Sequence, residues 1–208
     1  MPSMDSCRSN CLGDLGEDQD SMTLSSLCSR VATVRRELSF YLEAGSIPVS
    51  RSAGVLYRGA KRSEIFRFRE FYLTHNPEGT FGYFRLLLCL MTCPKLVVVA
   101  CSVEQKKMIG VDFFYFNGRD LEELTVHEGF IGVARCFEGR GIATSMRFLA
   151  KLHFASAGIS GISSRISKDN LASMASARKA GFKPVCLGAE NEKTNDEYYL
   201  VCDLESVK

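Results

Sequence analysis

At 208 residues the chain has the length of one domain with a decorated end, and 46% apolar against 24% charged residues suits a globular protein with a sizeable core. The 26 basic and 24 acidic residues leave a net charge of only +2, which argues against nucleic acid as the main partner. Nine cysteines, several inside apolar runs such as Leu88-Cys89-Leu90, read as free thiols in a reducing cytoplasm. Cys7/Cys11 and Cys89/Cys93 are each separated by three residues. No nearby His completes a zinc site with either pair, so no metal is expected.

Residues 1–22 are rich in Ser, Asp and Gly, lack the apolar core of a signal peptide, and are expected as a disordered tail. Residues 23–52 are expected as a helical extension and 53–208 as the main domain. Within the extension, Leu27, Val31, Val34, Leu38 and Leu42 recur at helical spacing, and Gly45 and Pro48 end the helix. A short strand follows at Ala53–Tyr57, then a helix over Ser63–Leu73 with Ser63 as N-cap. Phe84–Met91 is almost wholly apolar and fits helix or strand equally. The apolar stretch Leu86–Val103 is broken by Pro94-Lys95, and each half is far short of the roughly 20 residues that span a bilayer, so no membrane partner is expected.

Three strands are predicted next, at Leu96–Ser102, Met108–Phe116 and Glu122–Ala134, joined by short turns into an antiparallel meander. Gly139–Ala157 then reads as a helix with Ile142, Met146, Leu149 and Leu152 along one face. Ile162–Ile166 is a strand, Asp169–Ala180 a helix stopped by Gly181, and Lys183–Leu187 and Tyr198–Leu204 close the chain as strands. The order is that of an α+β fold.

The chemistry is concentrated where the third strand meets the long helix. Glu138-Gly139-Arg140-Gly141-Ile142-Ala143-Thr144 is a glycine-rich turn running straight into a helix start. The glycines allow backbone angles a side chain would block, and the first helical N–H groups carry partial positive charge. This is an anion cradle suited to a phosphate or pyrophosphate. A P-loop is absent, and the dinucleotide fingerprint fails because Thr144 occupies its last position and a meander precedes it. A second element lies across the next helix, where Asn170 stands eleven residues before Gly181-Phe182.

Together these two segments resemble the GNAT acyltransferase superfamily over about residues 95–204. The resemblance implies a mixed, mostly antiparallel sheet flanked by helices, and an N-acetyltransferase using acetyl-CoA as cosubstrate and a small-molecule amine as acceptor. Backbone N–H groups of Gly139–Thr144 would hold the pyrophosphate, with Glu138 and Arg140 in the same turn. The main chain of Gly132 and Val133 would pair with the pantetheine arm, and Asn170 would reach the pantetheine or adenylate. In this family the C-terminal strands often pair between subunits, which makes a homodimer an expectation. Two positions depart from the family pattern: Glu138 stands where Arg or Gln is usual, and Ala177 where many members place a Tyr acid. They keep open a non-catalytic CoA-binding or interaction module, while the apolar Phe84–Met91 segment and the N-terminal helix keep open an enzyme with a longer acyl-CoA or carrier-protein donor.

An amine must be neutral to attack a thioester, so a base is sought. Strand alternation puts His127 on the same face as Gly129, Ile131 and Val133, which makes His127 the first candidate and Glu128, facing the other way, the second. Ser176 is a candidate acid in place of the missing Tyr. His153 is expected to pack or face solvent, and Asp112 to be solvated or hydrogen-bonded.

Overall fold

The structure is a computed structural model that describes residues 31, 35, 39–76, 81–116, 124–185 and 196–205. The expected tail 1–22, most of the first helix, and residues 77–80, 117–123, 186–195 and 206–208 lie outside the described residues.

Eight strands form one sheet in the order β1-β2-β3-β4-β5-β6-β8-β7. They are β1 (Ser50–Ser52), β2 (Val55–Gly59), β3 (Val97–Ser102), β4 (Lys107–Tyr115), β5 (Thr125–Val133), β6 (Gly161–Ser167), β7 (Lys183–Pro184) and β8 (Glu197–Asp203). All neighbours are antiparallel except β5 and β6. Residues 50–52, read as part of the helical extension, pair with β2 and open the sheet. Residues 39–43 are helical, and here Phe40 is buried whereas Leu42 is exposed.

Four longer helices cover the two faces: α1 (Ile65–His75), α2 (Tyr83–Leu96), α3 (Ile142–Ser156) and α4 (Leu171–Lys179). In α1, Ile65, Phe68 and Tyr72 recur at helical spacing and are buried. A 3-10 turn at Arg62–Glu64 precedes α1, whose N-cap is Glu64 rather than Ser63. Glu64 accepts from the Lys61 backbone at 2.9 Å and from the Arg58 guanidinium at 2.7 and 2.8 Å. The ambiguous Phe84–Met91 segment lies inside α2, which carries Pro94 near its end.

The sheet separates two apolar clusters. On one face Val97, Val99, Val111 and Phe113 pack with Phe68, Tyr72 and Cys93 of α1 and α2. On the other, Val98, Ala100, Phe114, Val126 and Ile162 pack with Met146, Leu149 and Phe154 of α3 and Met174 and Ala177 of α4. The inner face of α3 continues from Leu149 to His153, which is buried, whereas Leu152 is exposed. The His153 Nε2 donates to the Lys95 carbonyl at 2.9 Å, and burial pushes its pKa down to about 4.

Candidate active site

The strand that builds the site changes partner along its length. Thr125–Glu128 of β5 pair in parallel with Gly161–Ser164 of β6. Beyond Glu128, β5 stays bonded to β4 as far as Val133, while β6 continues against β8. The two parallel strands therefore splay, and the far half of β5 has an open edge toward β6. Alternate backbone N–H and C=O groups on that edge are available to a ligand.

A bulge marks the start of the splay. Phe113 opposes Phe130 and Phe114 opposes Glu128, so Gly129 is an extra residue on β5. The Tyr115 ring lies where a Gly129 side chain would begin, so the bulge position accepts only glycine without a shift. The extra residue reverses the parity of everything before it. His127 faces the α1–α2 side, with its ring 5.2 Å from that of Tyr115, whereas Ile131 and Val133 pack on the α3–α4 side. The expected sharing of one face by His127, Ile131 and Val133 is thus corrected by the bulge. Glu128 is the residue on their side.

At the end of β5 a 3-10 turn, Arg135–Phe137, leads into Gly139 and Gly141. Their φ values of +73° and +75° lie in the left-handed region, and Gly141 is the N-cap of α3. This geometry aims the free N–H groups of the first turn of α3 into a cavity of about 530 Å³. Its walls are β5 from Phe130 to Val133, the glycine turn, and the α4 residues Ala172, Ser173, Ala175 and Ser176. Of the cradle residues singled out in the sequence, Gly132, Val133, Glu138, Gly139, Gly141, Ile142, Ala143, Thr144 and Asn170 all line it. Arg140 does not: its guanidinium turns back on its own loop, donating to the Cys136 carbonyl at 3.1 Å and lying 5.0 Å from the Phe137 ring. Asn170 uses its side-chain oxygen to cap α4, accepting from the Ser173 N–H at 3.0 Å.

The expected catalytic groups are distributed differently. Ser176 lines the cavity and accepts from the Thr144 hydroxyl at 3.3 Å. His127 and Glu128 do not line it. His127 is buried with Nδ1 2.7 Å from Ser163 Oγ. Glu128 is buried and grips Arg147, whose Nε and terminal nitrogen donate to its two oxygens at 2.8 Å each; Ser164 Oγ donates to the same carboxylate at 2.8 Å.

Arg147 was not singled out by the sequence reading, yet it is the only charged side chain buried in α3 and one wall of the cavity. It also donates to the backbone carbonyl and hydroxyl of Ser173, at 3.1 and 3.3 Å, so one guanidinium ties α3 to β5 and α4. Burial disfavours its charge, but the hydrogen-bonded Glu128 carboxylate holds its pKa above the usual value. Asp112 itself is fully buried, and among the described residues neither carboxyl oxygen has a hydrogen-bond partner. The expectation that it would be solvated or hydrogen-bonded is overturned. Burial first, and the neighbouring Glu128 charge second, push its pKa well above the usual range, against the pull of Arg147. Two cavity residues, His75 at the end of α1 and Lys179 at the end of α4, were also missed. Their place comes from helix packing, and no sequence motif marks it.

The overall fold has parallels among solved structures. The ribosomal-protein-S5-alanine acetyltransferase of Vibrio fischeri superposes with a TM-score of 0.60 at 13% identity, covering 77% of this chain and 99% of its own. The fold is that of the GNAT acetyltransferases. The structure of yncA from Salmonella typhimurium with acetyl-CoA gives 0.57 at 17% identity, over 74% of this chain and 95% of that one. A dodecameric spermidine N-acetyltransferase from Vibrio cholerae gives 0.57 at 14% identity, over 75% and 97%. No protein-family model and no curated protein matches the sequence.

Proposed function

We propose that this GNAT-fold protein is an N-acyltransferase that moves an acetyl group from acetyl-CoA to the amine of a small molecule. The observation that carries the reading is the single cavity wall made by the open edge of β5, the glycine turn and the first turn of α3. These features fit acyl-coenzyme A as a substrate. N–H groups at a helix start suit the pyrophosphate, the unpaired edge of β5 around Gly132 and Val133 suits the amides of the pantetheine arm, and Lys179 adds a positive charge to the same cavity.

In this reading the amine nitrogen attacks the thioester carbonyl carbon directly. A backbone N–H of the open β5 edge stabilises the oxyanion, and the Thr144–Ser176 hydroxyl pair is the proton source for the departing thiolate. Covalent catalysis through a buried cysteine does not suit the site, because burial pushes the thiols of Cys93 (to about 11), Cys101 and Cys202 up. The five described cysteines are unbridged, which supports a reducing compartment such as the cytoplasm. Among the described residues no helix is long and apolar enough to cross a membrane. The acceptor is a small amine in this reading, with support from the spermidine N-acetyltransferase neighbour.

The test is calorimetric titration with CoA, acetyl-CoA and longer acyl-CoAs, followed by a thiol-release assay on amines with mass detection of product. Acetyl-CoA binding with acceptor-dependent turnover is the expected result. A marked preference for long acyl chains would replace acetyl by a longer donor, and binding to none of them would refute the reading.

A further inference from the structure

The chain has three histidines, and only one lines the cavity. His153 is buried against the Lys95 carbonyl and His127 against Ser163. His75, the last residue of α1, reaches the cavity from the side opposite α4. Its Nδ1 lies 2.8 Å from the Phe71 carbonyl, one helical turn earlier. A carbonyl only accepts, so Nδ1 carries the hydrogen, and in the neutral ring Nε2 keeps its lone pair. That bond is the only hydrogen bond of the His75 imidazole among the described residues. The imidazole stacks on the Phe71 ring at 4.1 Å and 15°, and Phe71 in turn abuts β5: a Cβ built on Gly132 would meet its Cε1 at 3.2 Å. The stack on Phe71 and the bond to its carbonyl place this exposed ring on the cavity lining with Nε2 bare.

The charged groups that share the cavity with His75 are Glu138, Arg147 and Lys179. Glu138 belongs to the glycine turn, the phosphate end of the site, and Arg147 is engaged by Glu128. Glu128 is held at both oxygens and lies off the lining. We infer that His75 is the general base of the transfer reaction, an assignment that rests on the acyltransferase reading above. As the amine nitrogen bonds to the thioester carbonyl carbon and the C–S bond breaks, the amine's proton passes to Nε2 of His75 and coenzyme A leaves as the thiolate. The thiolate takes its proton from the hydroxyl side of the cavity or from water, and His75 returns its own to solvent.

The experiment compares wild type with His75→Ala in acetyl transfer to spermidine, an amino sugar and an alanine-initiated peptide. The expected result is a kcat lower by ~100-fold or more, an unchanged acetyl-CoA affinity by calorimetry, and partial recovery of kcat with added imidazole. Equal turnover in the two proteins overturns the assignment while leaving the acyltransferase reading intact. So does a loss of turnover that imidazole does not rescue. A wild type that binds acetyl-CoA but transfers to no amine overturns the acyltransferase reading, and the base assignment with it. Should the alanine variant fold poorly, ¹⁵N NMR of the wild-type imidazoles decides. A His75 ring with hydrogen on Nδ1, and an Nε2 signal that moves on adding acetyl-CoA, upholds the proposal; hydrogen on Nε2 overturns it.

Discussion

Replacing Asp112 with Asn should stabilise the protein at neutral pH and leave it nearly unchanged at about pH 4 and below. The Asp112 carboxyl is completely buried, has no hydrogen-bond partner among the described residues, and lies near the ionised Glu128. Arg147 spends its donors on Glu128 and Ser173, so it favours the Asp112 carboxylate only through space. The folded protein therefore holds this proton well above the pH of about 3.9 at which the unfolded chain releases it. A pKa raised by folding contributes stability that is complete below the unfolded value and is lost as pH rises toward the folded one. The loss is about 1.4 kcal/mol per pH unit within that window. Wild type should therefore lose stability against the asparagine variant as pH rises from 5 to 7. Asn has nearly the same shape and cannot ionise. Urea unfolding of both proteins, followed by circular dichroism at pH 5, 6 and 7, measures the difference directly, and groups common to both cancel. A difference that does not change with pH would refute a neutral, buried Asp112.

His153 has the opposite sign. Its folded pKa is depressed to about 4, so its contribution is complete above the unfolded value near ~6.5 and is lost on acidification between the two, about 3 kcal/mol in all. A His153→Leu variant should therefore lose less stability than wild type between pH 6.5 and pH 4, read by the same urea titrations. Arg147→Met should cost roughly 3–5 kcal/mol, because it strands a buried Glu128 charge, and should lower Tm by about 10 °C in a thermal melt. Replacing Glu128 by Leu in the same chain should recover part of that loss. Gly141→Ala has room for its methyl group but must adopt φ near +75°, at a cost of roughly 1–2 kcal/mol. Calorimetry should show acetyl-CoA binding weakened by about 10-fold if the strain is relieved by moving the turn. Asn170→Ala should cost about 1 kcal/mol through the lost cap on α4, measured by urea unfolding.

The parts of the site that could be read from sequence are those made by neighbours in the chain. The turn Glu138–Thr144 is a contiguous strand-to-helix transition, and its glycines at 139 and 141 adopt the left-handed angles that such a turn needs. Asn170 and Gly181 bracket one helix, as cap and as left-handed terminator with φ +94°. What escaped was built from distant pieces. Arg147 sits one position after the core residue Met146, and its reason for being buried lies on β5, 19 residues away. His75 and Lys179 reach the cavity only because α1 and α4 dock where they do. For Phe84–Met91 no periodicity distinguished helix from strand, and in the fold the segment packs as helix α2 against one face of the sheet, where Cys89 and Cys93 are buried and Leu90 is partly buried.

The largest single consequence follows from one residue. Counting by twos along β5 from His127 reaches Val133 on the same face, and that arithmetic holds only for a regular strand. Gly129 is inserted opposite the Phe113–Phe114 step, so the count slips by one and Glu128 takes the α3 side that alternation had given to His127. Two things then follow together. Glu128 meets the Arg147 guanidinium and becomes part of the brace between β5, α3 and α4, with its oxygens occupied. His127 turns to the α1–α2 side, beside Tyr115 and Ser163 and off the cavity lining. The same slip begins where β6 leaves β5, so the bulge that turns His127 to the other face also marks the opening of the edge that a ligand can pair with. On the acyltransferase reading proposed above, the candidate base therefore comes from another element, the α1 terminus, which brings a histidine to the cavity.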